Sequence, residues 1–186
     1  MSKSYSLSGY DNDSYMCSSA NRVFEGIEGL EVCSKCGYRT DFEYINKKFR
    51  VKRRTNDISY TYDGYCIVSL KFKEACERAH LKGVQFTKLP GDKEYFHLKS
   101  NCIIEFDTAS RKTRFENKCE LCGNYESIVG ATPAFIKGDL ESDICRTDIM
   151  FGSGNTKHPM ILISEKVKEV FEREKLNGVL AEEVRT

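Results

Sequence analysis

The sequence predicts an α+β fold made of two related halves, with mixed or antiparallel sheets. Three observations favour this class. A short apolar run followed by a serine and an amphipathic helix pattern occurs twice, and a Cys-x-x-Cys-Gly motif precedes each copy. Much of the remaining chain alternates between apolar and polar residues, as half-buried strands do. The 186 residues are enough to bury one sizeable core, so we expect the halves to pack as one domain.

The strand and helix pattern covers residues 65–86 in the first copy and residues 160–180 in the second. Three residue pairs match at a constant offset of 95 positions: Ser69 with Ser164, Leu81 with Leu176, and Gly83 with Gly178. We expect each serine to cap a helix by accepting hydrogen bonds from its free amides. Each glycine is expected to end the helix in the left-handed conformation, and the apolar residue after it to begin another strand. Each copy is therefore predicted to be strand–helix–strand.

Apolar residues at helical spacing predict the buried face of each helix. These residues are Phe72, Ala75, Cys76 and Ala79 in the first copy, and Val167, Val170 and Phe171 in the second. The Cys-x-x-Cys-Gly motifs stand only 86 positions apart, so the second copy has a net nine extra residues between motif and helix. We expect a loop at residues 151–159 to contain part of them.

These landmarks suggest an organisation along the chain. Residues 1–22 are predicted to be an N-terminal arm or edge strand, residues 23–110 the first half, and residues 111–186 the second half. Alternating patterns predict further strands at four places: residues 38–45, 48–52, 102–106 and 125–129.

The paired motifs are the strongest chemical signal. They are Cys33-Ser-Lys-Cys36-Gly37 and Cys119-Glu-Leu-Cys122-Gly123. Structural zinc takes four tetrahedral thiolate or imidazole ligands, and a Cys-x-x-Cys turn brings two sulfurs to one ion. We therefore predict one structural Zn²⁺ per chain, held by Cys33, Cys36, Cys119 and Cys122.

One feature departs from an ordinary zinc ribbon. The 82 residues between Cys36 and Cys119 far exceed the usual separation of roughly 15–20, so the intervening fold must bring the knuckles together. Separate sites, a relic site without metal and a redox Cys-x-x-Cys are the alternatives. The redox alternative is disfavoured because strand-like sequence follows each motif, whereas redox motifs usually open a helix.

The remaining cysteines and the histidines carry weaker signals. Cys66, Cys76 and Cys102 lie in apolar patterns and are expected in the core, whereas Cys17 lies in a polar segment and is a candidate for exposure. His80, His97 and His158 are expected on the surface or in loops. An odd number of cysteines and no signal-peptide pattern favour a cytoplasmic protein without a disulfide framework.

Charge and motifs bound the function. A formal net charge of +1 makes nucleic acid an unlikely partner for the whole chain, and no apolar run could span a membrane. The basic stretch at residues 47–54 could track phosphates along one strand face, or could simply be a solvated edge. The phosphate-binding and hydrolase motifs GxxxxGK[ST], GxGxxG, HExxH and GxSxG do not occur. We expect no enzyme, with a Cys–His dyad as the minor alternative.

The two Cys-x-x-Cys-Gly motifs and the ending from Ile161 to Val179 resemble the double-CXXCG-motif proteins of bacteria. Some of those are immunity proteins of polymorphic or contact-dependent toxin systems. The resemblance runs from about Val23 to the C-terminus, and only the four cysteines transfer as site residues. It implies a small cytoplasmic, non-catalytic protein that occludes a cognate toxin domain. A zinc-ribbon nucleic-acid-binding protein is the alternative. Residues 89–93 and 151–159 are candidate contact loops.

Overall fold

The computed structural model describes residues 3–17 and 27–186. Within these residues the strands are β1 (Ser4–Ser8), β2 (Tyr10–Asp11), β3 (Ile58–Tyr60), β4 (Cys66–Ser69), β5 (Val84–Leu89), β6 (Asp92–Ser100), β7 (Ile103–Ile104), β8 (Arg114–Lys118), β9 (Tyr125–Val129), β10 (Ile144–Ser153), β11 (His158–Ser164) and β12 (Leu180–Glu183). The helices are α1 (Leu70–Arg78), α2 (Thr108–Arg111) and α3 (Glu165–Arg173), with one 3₁₀ turn at Gly154–Thr156.

The strands form two sheets, which confirms the α+β class. One sheet has the order β12-β1-β11-β10-β9-β8, with the short β7 pairing parallel to β10. The other has the order β2-β3-β4-β6-β5, in which only the β2–β3 pair is parallel. Both sheets are therefore mixed but mainly antiparallel. No helix in the described part of the chain is long and apolar enough to cross a membrane.

The N-terminal strand differs from the expected arm or edge strand. β1 lies inside the seven-stranded sheet, where it pairs antiparallel with both β11 and β12. Tyr5 and Leu7 face the core, and the serines that alternate with them hide this period-2 pattern in a polar composition. Of the two strands in this N-terminal segment, β2 is an edge strand, in the five-stranded sheet. Residues 1–2 and 18–22 of the expected arm lie outside the described residues.

Both predicted helices begin at the expected serines. The Ser69 hydroxyl accepts a hydrogen bond of 3.1 Å from the Phe72 amide, so it caps α1 as predicted. Ser164 has the same extended backbone, but its side chain makes no capping bond and its hydroxyl has no partner among the described residues.

The glycines do not end the helices. His80 and Lys175 take the left-handed conformation instead, with φ of 50° and 51°. Gly83 and Gly178 lie three residues further on, where φ of 82° and 80° turns the chain into the following strand. The strand–helix–strand order is thus correct in both places, while the role given to the glycines is wrong.

Within the described ranges, three apolar clusters hold the sheets and helices together. In the central cluster, α1 packs on the five-stranded sheet and α3 packs on the seven-stranded sheet. The two helices meet at Phe72 and Phe171, whose ring centroids are 4.6 Å apart. The helix residues that are buried there are Phe72, Ala75, Cys76, Val167, Val170 and Phe171, as predicted, with Ala79 partly buried. The other two clusters each cover the opposite face of one sheet.

The hairpins before the two helices share one register. Three pairs in the β3–β4 hairpin (Ile58–Val68, Ser59–Ile67 and Tyr60–Cys66) correspond to three in the β10–β11 hairpin (Ile144–Ile163, Cys145–Leu162 and Arg146–Ile161). The nine extra residues therefore lie between Arg146 and Ile161. Residues 151–159 are only partly a loop, because β10 continues to Ser153 and β11 begins at His158.

Four other strand predictions have different outcomes. Residues 125–129 form β9, but residues 102–106 contain only the two-residue β7. Residues 38–45 and 48–52 form no strand, and the isolated bridge Val32–Arg39 is the sole pairing there among described residues. Phe49 and Val51 are nevertheless buried against the five-stranded sheet, so their alternation reflects burial of an irregular segment.

Candidate metal centre

The two Cys-x-x-Cys-Gly motifs fold into the same tight turn. In the first, the Gly37 amide donates to the Cys33 carbonyl at 2.8 Å, and in the second the Gly123 amide donates to the Cys119 carbonyl at 2.9 Å. Each glycine has a positive φ, 70° and 74° respectively, which favours glycine at this position. The amide of each first cysteine also bonds back to the carbonyl five residues later, which closes the knuckle.

These knuckles bring the four predicted cysteines together. The Sγ atoms of Cys33 and Cys119 are 3.9 Å apart, and those of Cys36 and Cys122 are 3.7 Å apart. All four sulfurs lie within 4.8 Å of one another. Cys33 and Cys119 are almost fully buried, whereas Cys36 and Cys122 are half-buried. This arrangement is compatible with one metal ion between the knuckles, and the intervening 82 residues do not keep them apart.

Backbone amides point at the first sulfur of each knuckle. The amides of Cys36 and Lys35 lower the pKa of the Cys33 thiol to about 6. In the second knuckle, the amides of Cys122 and Leu121 lower the pKa of Cys119. Desolvation, together with hydrogen bonds to the other thiols, raises the pKa of Cys36 to about 12. Four thiols so close together cannot all ionise without a cation, and a bound metal ion supplies one.

A lysine that the sequence did not single out lies beside the sulfurs. Lys157 is only 3% exposed, its Nζ donates to the Tyr125 carbonyl, and the ammonium lies 5.2 Å from the Tyr38 ring centroid. Burial lowers the pKa of Lys157, while the thiols of Cys36 and Cys122 act in the opposite direction. A buried cation here would offset part of the negative charge of a metal–thiolate centre.

The segment expected as a contact loop packs partly on the first knuckle. The Asn155 side chain accepts a hydrogen bond of 2.8 Å from the Arg39 amide, and Phe151 and Lys157 are buried. Ser153 and Thr156 are exposed. In the other expected loop, residues 89–93, Leu89 is buried, and Pro90 and Lys93 are exposed.

The other cysteines only partly follow expectation. Cys66 and Cys76 are buried in the central core, as predicted. Cys17, a candidate for exposure, is 2% exposed and packs beside the Tyr65 hydroxyl at 3.3 Å. Cys102, expected as a free core residue, forms a disulfide with Cys145 that links the start of β10 to the segment before β7.

The three histidines differ in how well they follow the predicted surface or loop position. His80 is exposed as expected, and His158 is half-buried at the start of β11. His97 is 7% exposed on β6, so its surface assignment is wrong. The signal that could have placed it is its position between Phe96 and Leu98 in a strand covered on both faces.

The basic stretch at residues 47–54 is partly neutralised. Arg53 forms ion pairs with Asp11 and Asp13, and Arg54 pairs with Asp92 at 2.6 Å and with Glu94. These guanidinium groups would have to leave carboxylates to follow a phosphate backbone.

No known protein family matches the chain in a scan of family profiles, and a search of curated proteins gives no match either. The candidate metal centre therefore rests on the geometry of its four thiols.

Proposed function

We propose that Cys33, Cys36, Cys119 and Cys122 hold one structural Zn²⁺ per chain. A tetrahedral ion with zinc–sulfur bonds of 2.3 Å requires sulfur–sulfur separations of roughly 3.8 Å. The two closest pairs, at 3.9 Å and 3.7 Å, agree with that value. Four protein thiolates fill the coordination shell and leave no position for a reacting water, so the ion would have a structural role.

We further infer that residues 23–110 and 111–186 are two related halves joined by this ion. Backbone hydrogen bonds support the relation. Those of the knuckles recur at an offset of 86 positions, and those that end α1 and α3 recur at an offset of 95. Because one Cys-x-x-Cys-Gly motif comes from each half, loss of the ion would free the halves from each other at this end of the molecule.

For function, we propose a non-catalytic immunity protein that binds a cognate bacterial toxin domain in the cytoplasm and blocks it by steric occlusion. The observation that carries this proposal is the convergence of both Cys-x-x-Cys-Gly motifs on one site, in a chain that resembles double-CXXCG-motif proteins. The C-terminal part of the resemblance corresponds to β11, α3 and β12.

A toxin would be met by exposed side chains on the rigid scaffold, since surface positions can change without disturbing the core. Pro90, Lys93, Ser153 and Thr156 are the exposed members of the two expected contact segments. Leu121, 63% exposed at the tip of the second knuckle, is an apolar side chain that could join such a contact.

The metal is tested by elemental analysis and thermal unfolding of the full chain before and after chelation. We expect one zinc per chain. Chelation, Cys33→Ser and Cys119→Ser should each cost about 5 kcal/mol or more, which lowers Tm by about 10–20 °C for a chain of this size. Cys76→Ser is the matched control, because it changes a buried free cysteine outside the cluster and should retain one zinc. No zinc, or equal zinc loss in the control, would overturn the proposal.

The toxin role is tested by co-expression with the toxin domain encoded next to this chain in the genome. We expect a stable complex and restored growth, with protection reduced by Cys33→Ser in proportion to the loss of folded protein. Growth arrest despite folded, zinc-loaded protein would refute the role. DNA or RNA binding that weakens steeply with salt would instead favour the nucleic-acid alternative.

A further inference from the structure

A cavity of about 270 Å³ lies between the two sheets, and its lining includes Lys157, which also lies beside the thiols of Cys36 and Cys122. β6 of the five-stranded sheet lines one side, and β10 and β11 of the seven-stranded sheet line another. Its apolar walls include Phe42, Tyr65, Leu98, Met150, Pro159 and Ile161. At about 30 Å³ per water, the space equals roughly nine water molecules, which is small for an organic ligand site.

The charged lining of this cavity is almost all positive. It includes four basic side chains, Arg39, Lys99, Arg146 and Lys157, against one carboxylate, Glu43. Glu43 already forms an ion pair with Lys99. Among the described residues, the other three cations have no ion pair with a carboxylate. Lys157 lies beside the thiols of Cys36 and Cys122, whereas no carboxylate among the described residues compensates the charge of Arg39 or Arg146.

Arg39 is held rigidly and still has an unused donor. The side chain is 2% exposed, with the guanidinium stacked 4.7 Å from the Tyr65 ring centroid and 4.9 Å from that of Phe42. Its Nη2 donates to the carbonyl oxygens of Asp63 and Lys157 at 2.8 Å and 3.0 Å. Its buried Nε has no partner among the described residues. An unsatisfied buried guanidinium N–H is costly, and an acceptor that reached this nitrogen would remove that cost.

His97 provides a second unpartnered group on the same cavity. It is 7% exposed, its ring lies 5.0 Å from that of Tyr65, and its Nδ1 has no hydrogen-bond partner in the described part of the chain. A neutral imidazole can present an N–H at this nitrogen, since either tautomer is available to it. Two buried side chains from different segments thus line one basic cavity, and each has a nitrogen without a partner among the described residues.

We propose that this cavity binds a small organic anion, with an oxyanion group at Arg39, Arg146 and His97 and an apolar body against Tyr65 and Met150. Guanidinium groups match the planar geometry of carboxylate and phosphate oxygens, and both acids share this recognition chemistry. Because Arg39 and His97 are more than nine-tenths buried, the cavity suits a small molecule better than a macromolecular surface. This occupancy does not depend on whether the chain binds a toxin.

The test is calorimetric titration of the full chain with benzoate and with phenyl phosphate, which separate a carboxylate from a phosphate head. Benzamide is the neutral match for benzoate, and inorganic phosphate lacks the apolar body. We expect saturable binding of at least one organic anion, with benzamide at least tenfold weaker. Arg146→Gln should weaken binding by about 10- to 100-fold, because it removes a charge-assisted hydrogen bond.

The control is Arg114→Gln, which removes an exposed arginine that does not line the cavity and should change affinity by less than about twofold. If Arg146→Gln fails to fold, chemical-shift mapping on the unaltered chain decides instead, and signals of Arg39 and His97 should move most. The proposal is overturned if neither anion binds, if benzamide binds as well as benzoate, if the control loses as much affinity, or if the shifts lie elsewhere.

Discussion

Replacement of Gly83 by alanine tests a close contact between the segment before β5 and the start of β10. Gly83 follows α1 with φ of 82°, and a Cβ built on it would lie 2.1 Å from the Ile144 carbonyl oxygen at the start of β10. The neighbouring backbone has no room to move freely, because the Ile144 amide donates to the Lys82 carbonyl at 3.0 Å. The Lys82 amide in turn donates to Asp143 Oδ2 at 2.9 Å.

The magnitude follows from two separate costs. Alanine in the left-handed conformation costs about 1 kcal/mol relative to glycine. Relief of the clash strains the packed backbone by about 1–3 kcal/mol and weakens a hydrogen bond worth about 1 kcal/mol. We therefore expect Gly83→Ala to lower the free energy of unfolding by about 3–5 kcal/mol. Gly178→Ala should behave similarly, since its Cβ would lie 2.8 Å from the Ile58 carbonyl oxygen.

Gly138→Ala separates the two costs. Gly138 has φ of 85°, close to that of Gly83, but a Cβ there would meet nothing within 4 Å. It should lose only about 1 kcal/mol. Urea unfolding of the three variants at one pH, with equal m-values, measures the differences. If Gly83→Ala costs no more than Gly138→Ala, the close contact between the sheets is wrong.

Two further predictions concern buried titratable and oxidisable groups. Burial and the Arg39 guanidinium lower the pKa of His97 to about 3. Between that value and the ordinary histidine pKa, the imidazole is therefore protonated in the unfolded chain and neutral in the folded one. The free energy of unfolding should therefore fall by about 2 kcal/mol between pH 7 and pH 5. In urea titrations, His97→Phe should reduce this dependence of stability on pH. An unchanged dependence in the variant would contradict the burial of His97. Thiol titration of metal-free, denatured protein should find seven free thiols before reduction and nine after it, and nine in both would exclude the Cys102–Cys145 disulfide.

The sequence predicted best where one residue type has one structural use. The N-cap positions of Ser69 and Ser164 and the apolar faces of α1 and α3 follow from local sequence, because cap preference and 3.6-residue periodicity act over a few residues. The capping bond itself forms only at Ser69. The four cysteines could be grouped because thiol pairs at this spacing have few other uses. Lys157 could not be found in the same way, since its burial depends on Tyr38 and Tyr125 from distant segments.

The failures have a common physical origin in tertiary packing. Residues 48–52 alternate like a strand, yet Phe49 and Val51 belong to an irregular buried segment that pairs with no strand among the described residues. β1 is the opposite case: its serine-rich composition gives little strand signal, yet it forms a strand because two neighbouring strands supply its hydrogen bonds. Local pattern reports which side chains are buried, whereas strand pairing is decided by distant parts of the chain.

The place of β1 shows how the two sheets become one molecule. In the five-stranded sheet, β4 and β5 precede and follow α1 in the chain, and β6 lies between them. In the seven-stranded sheet, β11 and β12 precede and follow α3, and β1 lies between them. β2 follows after Gly9 and joins the other sheet, and a Cβ on Gly9 would lie 3.0 Å from the Ile58 carbonyl oxygen. The sheets are thus tied by the N-terminal crossover, by the glycine contacts at Gly83 and Gly178, and by the paired knuckles. A metal ion at the knuckles would therefore add a link between sheets that other contacts already hold together. Its removal should loosen the packing around the four cysteines before it affects the core around α1 and α3.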